Sequence, residues 1–143
     1  MARIEISLPN EFDFSTNIPI RIGDINRGFH LGHDAIVLIL EEARVQFLSS
    51  LGYTEQANTN KGTGYITADA GVIYKRQARY GQTLKVEVAV TDFTDKSFDI
   101  VYRISDASSG IEIARAKTGT LFFDYQIQKV VAVPDDFRKK FSR

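Results

Sequence analysis

Residues 33–51 carry an apolar stripe at helical spacing, and almost everything after them alternates at strand spacing. Ala35, Ile36, Leu38, Ile39, Leu40, Ala43, Phe47, Leu48 and Leu51 recur three and four apart. Val37 and Val45 widen the stripe until its first half is apolar nearly all round. A helix of that kind is buried rather than laid on a surface. Gly52 follows the last apolar residue, where a left-handed C-terminal cap is expected. Residues 52–64, GYTEQANTNKGTG, read as a loop. Residues 65–74 are β-prone; Leu84, Val86, Val88 and Val90 alternate, as do Phe98, Ile100, Tyr102 and Ile104, and a long strand-like stretch covers 111–125. The separators YGQ, DFTDK and DASSG are short enough for antiparallel hairpins. Upstream, NIPIRI at 17–22 reads as a strand through Ile18, Ile20 and Ile22, and Pro19 places it at an edge or an irregular start. VPDDFRKKF closes the chain as a short helix begun by Pro134.

One buried helix needs covering, and a sheet has one apolar face to offer. The economical arrangement is an α+β fold: an antiparallel sheet wrapped around one long central helix, with a short C-terminal helix. Residues 1–143 are read as one domain, long enough to bury about two-thirds of the unfolded surface. Eighteen basic and eighteen acidic side chains cancel, so no overall field draws the chain to nucleic acid or an anionic membrane. The absence of cysteine excludes disulfides, thiolate zinc sites and a cysteine nucleophile together. Two histidines without a further ligand cluster argue against a metal site. The N-terminus has no apolar run of signal-peptide length, and the longest apolar run, 35–40, is too short to span a bilayer. A soluble cytoplasmic protein is the expectation.

Chemistry concentrates just before the long helix, in RIGDINRGFHLGHDAI at 21–36. Both histidines of the chain, His30 and His33, sit there with Asp24, Asn26, Asp34 and three glycines. Histidine is the side chain that exchanges protons near neutral pH. Asp34 falls in the first helical turn, where the helix dipole favours a carboxylate and where free backbone N–H groups face the loop. Each residue also has a plainer reading. Asp34 reads as a capping carboxylate, Asp24 as a brace accepting backbone N–H bonds, and the histidines as solvated loop residues. Arg44 reads as half of a salt bridge across the helix surface.

The stretch resembles the hotdog-fold thioesterases of the 4-hydroxybenzoyl-CoA thioesterase type. That family carries a pattern close to G-D-x-D-x-x-G-H-x-N-N before its helix and E-x-A-R within it. Here the residues are Gly23, Asp24, Ile25, Asn26, then Phe29, His30, Leu31, Gly32, His33, and later Glu41, Glu42, Ala43, Arg44, with no gap between. YKRQARYGQTLKVE at 74–87 and the closing VAVPDDFRKKF also resemble the family's strand-turn-strand and final helix. The resemblance implies the hotdog fold and hydrolysis of an acyl-CoA or acyl-carrier-protein thioester, with coenzyme A present only as part of the substrate. It implies a carbonyl polarised by the helix N-terminus.

The departure is at the family's catalytic carboxylate, which here is Asn26. An amide orients water or a carbonyl but cannot deprotonate water. The family's two Asn positions are Gly32 and His33. The candidate catalytic set is therefore rearranged: Asn26, His30, His33 and Asp34. Lys75, Arg76 and Arg79 are candidates for the coenzyme A phosphates, though alternating strand charges also read as a solvated face. Asp24 and Gly64 complete the candidate substrate contacts. Two other functions stay open. A hotdog hydratase or dehydratase carries G-D-x-N-P-x-H, which this chain matches through Asn26, but His30 comes one residue late and Arg27 replaces the proline. A non-catalytic acyl-thioester binder would keep the pocket and lose the carboxylate. A single sheet leaves open edges, so a homodimer or homotetramer is expected.

Overall fold

The computed structural model describes residues 1–53 and 63–141. In chain order it contains β1 (Phe14–Pro19), a 3-10 turn (Ile22–Asp24), α1 (His33–Ser50), β2 (Thr63–Tyr74), β3 (Thr83–Thr91), β4 (Ser97–Asp106), β5 (Glu112–Asp124), β6 (Lys129–Val131) and α2 (Asp135–Lys140). The strands form one antiparallel sheet in the order β1-β3-β4-β5-β2, with β6 paired to β5. β6 takes the side of β5 that β4 leaves beyond the Ser97–Leu121 pair. The expected separators behave differently. DFTDK and DASSG do turn hairpins, whereas β2 and β3 are not neighbours. Residues 75–82 instead carry the chain from the β2 edge across to β3, because β2 completes its pairing on β5.

The alternation read in the sequence lines the face toward α1. Val88, Tyr102 and Ala116 form one rung across β3, β4 and β5, and Val86, Ile104 and Ala114 the next. All six are fully buried. From α1, Ile36, Ile39, Leu40, Ala43, Phe47 and Leu48 pack down onto them. The helix ends as expected: Gly52 has φ +86°, Tyr53 N–H donates to Leu48 O at 2.9 Å, and Gly52 N–H donates to Ser49 O at 3.0 Å. Those two bonds are the Schellman pattern, and the positive φ favours glycine. Most of the loop expected at 52–64 lies outside the described residues.

Three expectations are corrected. The first strand covers Phe14–Pro19 rather than 17–22. Phe14, Thr16 and Ile18 are its inward residues, opposite Val88, Val86 and Leu84, while Ile22 is exposed in the 3-10 turn. Pro19 has no N–H for the ladder and ends the pairing. It is an edge strand, as its proline suggested. Second, α1 is not covered all round, since Val37 is 47% and Leu38 64% exposed. One sheet reaches only one side of a helix. Third, Arg44 forms the expected salt bridge along the helix, with Glu41, but its side chain is buried rather than on the surface. Its Nη1 donates to Thr67 Oγ1 at 3.0 Å, its Nη2 to Glu41 Oε1 at 2.5 Å, and its guanidinium lies 5.3 Å from the Tyr65 ring centre. A buried guanidinium needs such partners to offset its lost hydration.

An aromatic cluster closes the far end. The Phe137 ring of α2 packs with its centroid 4.8 Å from that of Phe98, tilted, and meets Phe122 at 5.2 Å and Tyr53 at 5.1 Å edge to face. Among the described residues no helix is long and apolar enough to cross a membrane.

Candidate active site

The segment between β1 and α1 is a closed loop built by its own backbone. Asp24 is buried; its Oδ2 accepts the Arg21 N–H at 2.8 Å, and its carbonyl accepts the Gly32 N–H at 2.9 Å. Ile25 and Leu31 form an isolated antiparallel bridge. Between them Asn26 N–H donates to His30 O and Phe29 N–H to Asn26 O, both at 3.0 Å, with Phe29 at φ +65°. The Asn26 Oδ1 accepts the Gly28 N–H at 2.9 Å, an Asx turn. The crossover after β2 holds this loop from outside: Leu31 N–H donates to Ala78 O at 2.7 Å, and Arg79 Nη1 to Phe29 O at 3.4 Å.

These contacts bring several candidate residues to one cleft of about 340 Å³. Asn26, His30 and His33 face Lys75 and Arg76 across it. Leu31, Ile36 and Ile113 form a buried apolar floor. Polar groups thus rim an apolar base, the usual make-up of a small-molecule site. Lys75 is partly neutralised by Glu112, whose Oε1 lies 3.1 Å from its Nζ. Arg76 stands exposed at the rim.

Gly32 is the N-cap of α1, and no side chain caps the helix there. The N–H groups at the start of the first turn, on His33, Asp34 and Ala35, have no acceptor within the helix. They carry its positive dipole end toward the loop. Gly32 has φ −68°, which any residue adopts, so it is not needed for conformation. It is needed for space. A Cβ there would stand 2.5 Å from Asp34 Oδ1 and 3.6 Å from Asn26 Cβ. The carboxylate of Asp34 therefore folds back over Gly32. This loop holds an amide at position 26, and the carboxylate of position 34 occupies the space that the absent Gly32 Cβ leaves.

Four candidates do not line the cleft: Asp34, which lies over Gly32 beside it, and three others. Asp24 is buried at 6% exposure and pairs with Arg21, so it braces the loop, on the flank of α1 that holds Pro19, Leu38 and Glu42. Gly64 is buried in β2 opposite Phe123, ten positions from Tyr74 along the strand, roughly 30 Å at strand rise. Arg79 supports the loop rather than lining the cleft. One residue was missed. Tyr74, the last residue of β2, lines the cleft, and its hydroxyl donates to the His33 carbonyl at 3.1 Å. Burial, reinforced by the Asp34 charge, pushes the Tyr74 phenol above its ordinary value, so it stays a donor. Its one sequence signal was an aromatic ring beside Lys75 and Arg76.

The family model of the thioesterase-like superfamily matches residues 20–141. No curated protein sequence matches significantly. Among solved structures, the chain is similar to Slr0204, a 1,4-dihydroxy-2-naphthoyl-CoA thioesterase from Synechocystis, with TM-score 0.81 and 21% identity over 90% of this chain and 94% of that one. The gentisyl-coenzyme A thioesterase BH1999 gives TM-score 0.77 and 18% identity, covering 87% of this chain and 99% of that one. SAV2348 from Staphylococcus aureus, in complex with CoA, gives TM-score 0.82 and 13% identity over 95% and 85%. At such identities these likenesses establish the hotdog fold: one antiparallel sheet, one long helix and a short closing helix.

Proposed function

The chain belongs to the thioesterase-like superfamily and is a thioester hydrolase by that membership, and from this premise we propose that it cleaves an acyl-CoA (or acyl-carrier-protein) thioester at the start of α1 with a rearranged catalytic set. The observation that carries the proposal is the Asp34 carboxylate lying over Gly32, a position whose Cβ would also stand 3.6 Å from Asn26 Cβ. In this reading the thioester oxygen sits against the free N–H groups of the first helical turn, which stabilise the charge that develops there. Asn26 has its Oδ1 committed to Gly28, leaving its Nδ2 to donate and hold a water. Asp34 takes a proton from that water as its oxygen bonds to the carbonyl carbon. The C–S bond then breaks, and the proton passes to the departing thiolate, with His30 and His33 at the cleft wall to relay it. The products are a free acid and a thiol. Arg76 and Lys75, at the rim, suit the coenzyme A phosphates, and the CoA held by the similar SAV2348 supports a substrate of that kind.

A panel of acyl- and enoyl-CoAs tests this, with free thiol and enoyl absorbance followed separately. Thiol release without change at the enoyl band is the expected result. Enoyl loss without thiol would make the chain a hydratase, and binding with neither would make it a binder.

We further propose that the working form is at least a homodimer. β2 ends the sheet with its outer side unpaired among the described residues. A second copy joined along that edge would pair it. Sizing at micromolar concentration should return a dimer or larger, and a monomer would contradict it.

A further inference from the structure

Tyr74 is placed where two halves of the cleft meet, and nothing in the loop motif accounts for it. It ends β2, so its backbone belongs to the sheet that leads directly into Lys75 and Arg76. Its hydroxyl crosses to α1 and donates to the carbonyl of His33, the first helical residue, at 3.1 Å. Its ring meets the His33 imidazole edge-on, with centroids 6.3 Å apart and planes at 84°. A tyrosine that is 51% exposed contributes little to the core, so packing does not explain this arrangement.

Within the reading that the thioester carbonyl docks at the start of α1, we infer that Tyr74 is a positioning residue for hydrolysis. Its hydroxyl ties the first turn of α1, with its free N–H groups, to the strand end that carries the cationic rim. Its ring sets the plane of the His33 imidazole. The two ends of one substrate, the carbonyl and the phosphates, are thereby held at a fixed spacing. Small displacements of such donors are costly to rate, because stabilisation of the developing charge depends steeply on distance.

The test compares Tyr74→Phe, which keeps the ring and removes the hydroxyl, with Tyr74→Leu, which removes both. Steady-state rates on an acyl-CoA that the wild type cleaves are read with the His33 imidazole proton resonances and the melting temperature. For Tyr74→Phe the expectation is a fall in kcat of about tenfold with KM unchanged, an unmoved His33 resonance and an unaltered melting temperature. Tyr74→Leu should lose as much or more in kcat and also shift the His33 resonance, because the edge-on ring is gone. A Tyr74→Phe rate within twofold of an active wild type would overturn the inference while leaving the thioesterase reading in place. A kcat loss that tracks a falling melting temperature would also overturn it, by making the residue structural. An inactive wild type across the panel would instead remove the reading on which the inference rests.

Discussion

Turnover on any thioester substrate should fall by about 10²- to 10⁴-fold when Asp34 is replaced by alanine, the range that a positioned general base contributes. Stability should change far less. Gly32 is the N-cap, no side chain caps it, and Asp34 is exposed in the first turn. What the fold loses is a carboxylate's attraction to the helix dipole, worth less than about 1 kcal/mol at such a site. Kinetics and thermal melting on the same preparation separate the two roles. Equal, small losses in both would return Asp34 to a helix-terminus charge. An unaffected rate would pass the role of base to His30 or His33, each testable by its own alanine variant.

Phe137→Ala should unfold α2 from the body of the protein and cost about 3–5 kcal/mol, the usual range for removing a buried phenylalanine. Phe137 is fully buried and is the one buried residue of its six-residue helix. Its ring touches aromatic rings from β4, β5 and the segment after α1. The cavity left there is bounded on one side by the paired strands β4 and β5, which limits its collapse. Denaturant unfolding would show a large drop in midpoint. A loss under about 1 kcal/mol would mean that the aromatic cluster repacks around the gap.

What could be read from the chain alone follows from how local each feature is. α1 was legible to within a residue because its spacing and its glycine stop are both encoded within 20 positions. β3 and β4 were legible for the same reason. β6 was not, since three residues after a turn carry no period, and the β2–β5 pairing joins segments about fifty positions apart that no spacing rule connects. The site divides in the same way. Asn26, His30, His33 and Asp34 lie on one contiguous stretch, and the first three line the cleft while the Asp34 carboxylate lies over Gly32. Lys75 and Arg76 joined them because the crossover after β2 passes beneath the loop. Gly64 did not, because it sits at the other end of the same strand. Tyr74 was invisible as a site residue because its contact with His33 crosses 41 positions and exists only once β2 has found its edge.

The central claim is that the missing carboxylate at position 26 has been replaced by the one at 34, and the rate of the Asn26→Asp variant tests it most directly. The substitution preserves the loop, since an aspartate Oδ1 can accept the Gly28 N–H as the amide does. If Asp34 already serves, a second anion beside it raises the carboxylates' proton affinity by mutual repulsion and adds no useful base. The account predicts a kcat that is flat or lower, with folding and oligomeric size unchanged. A large increase on a substrate that the wild type binds but barely cleaves would contradict it and mark the protein as a binder awaiting its carboxylate.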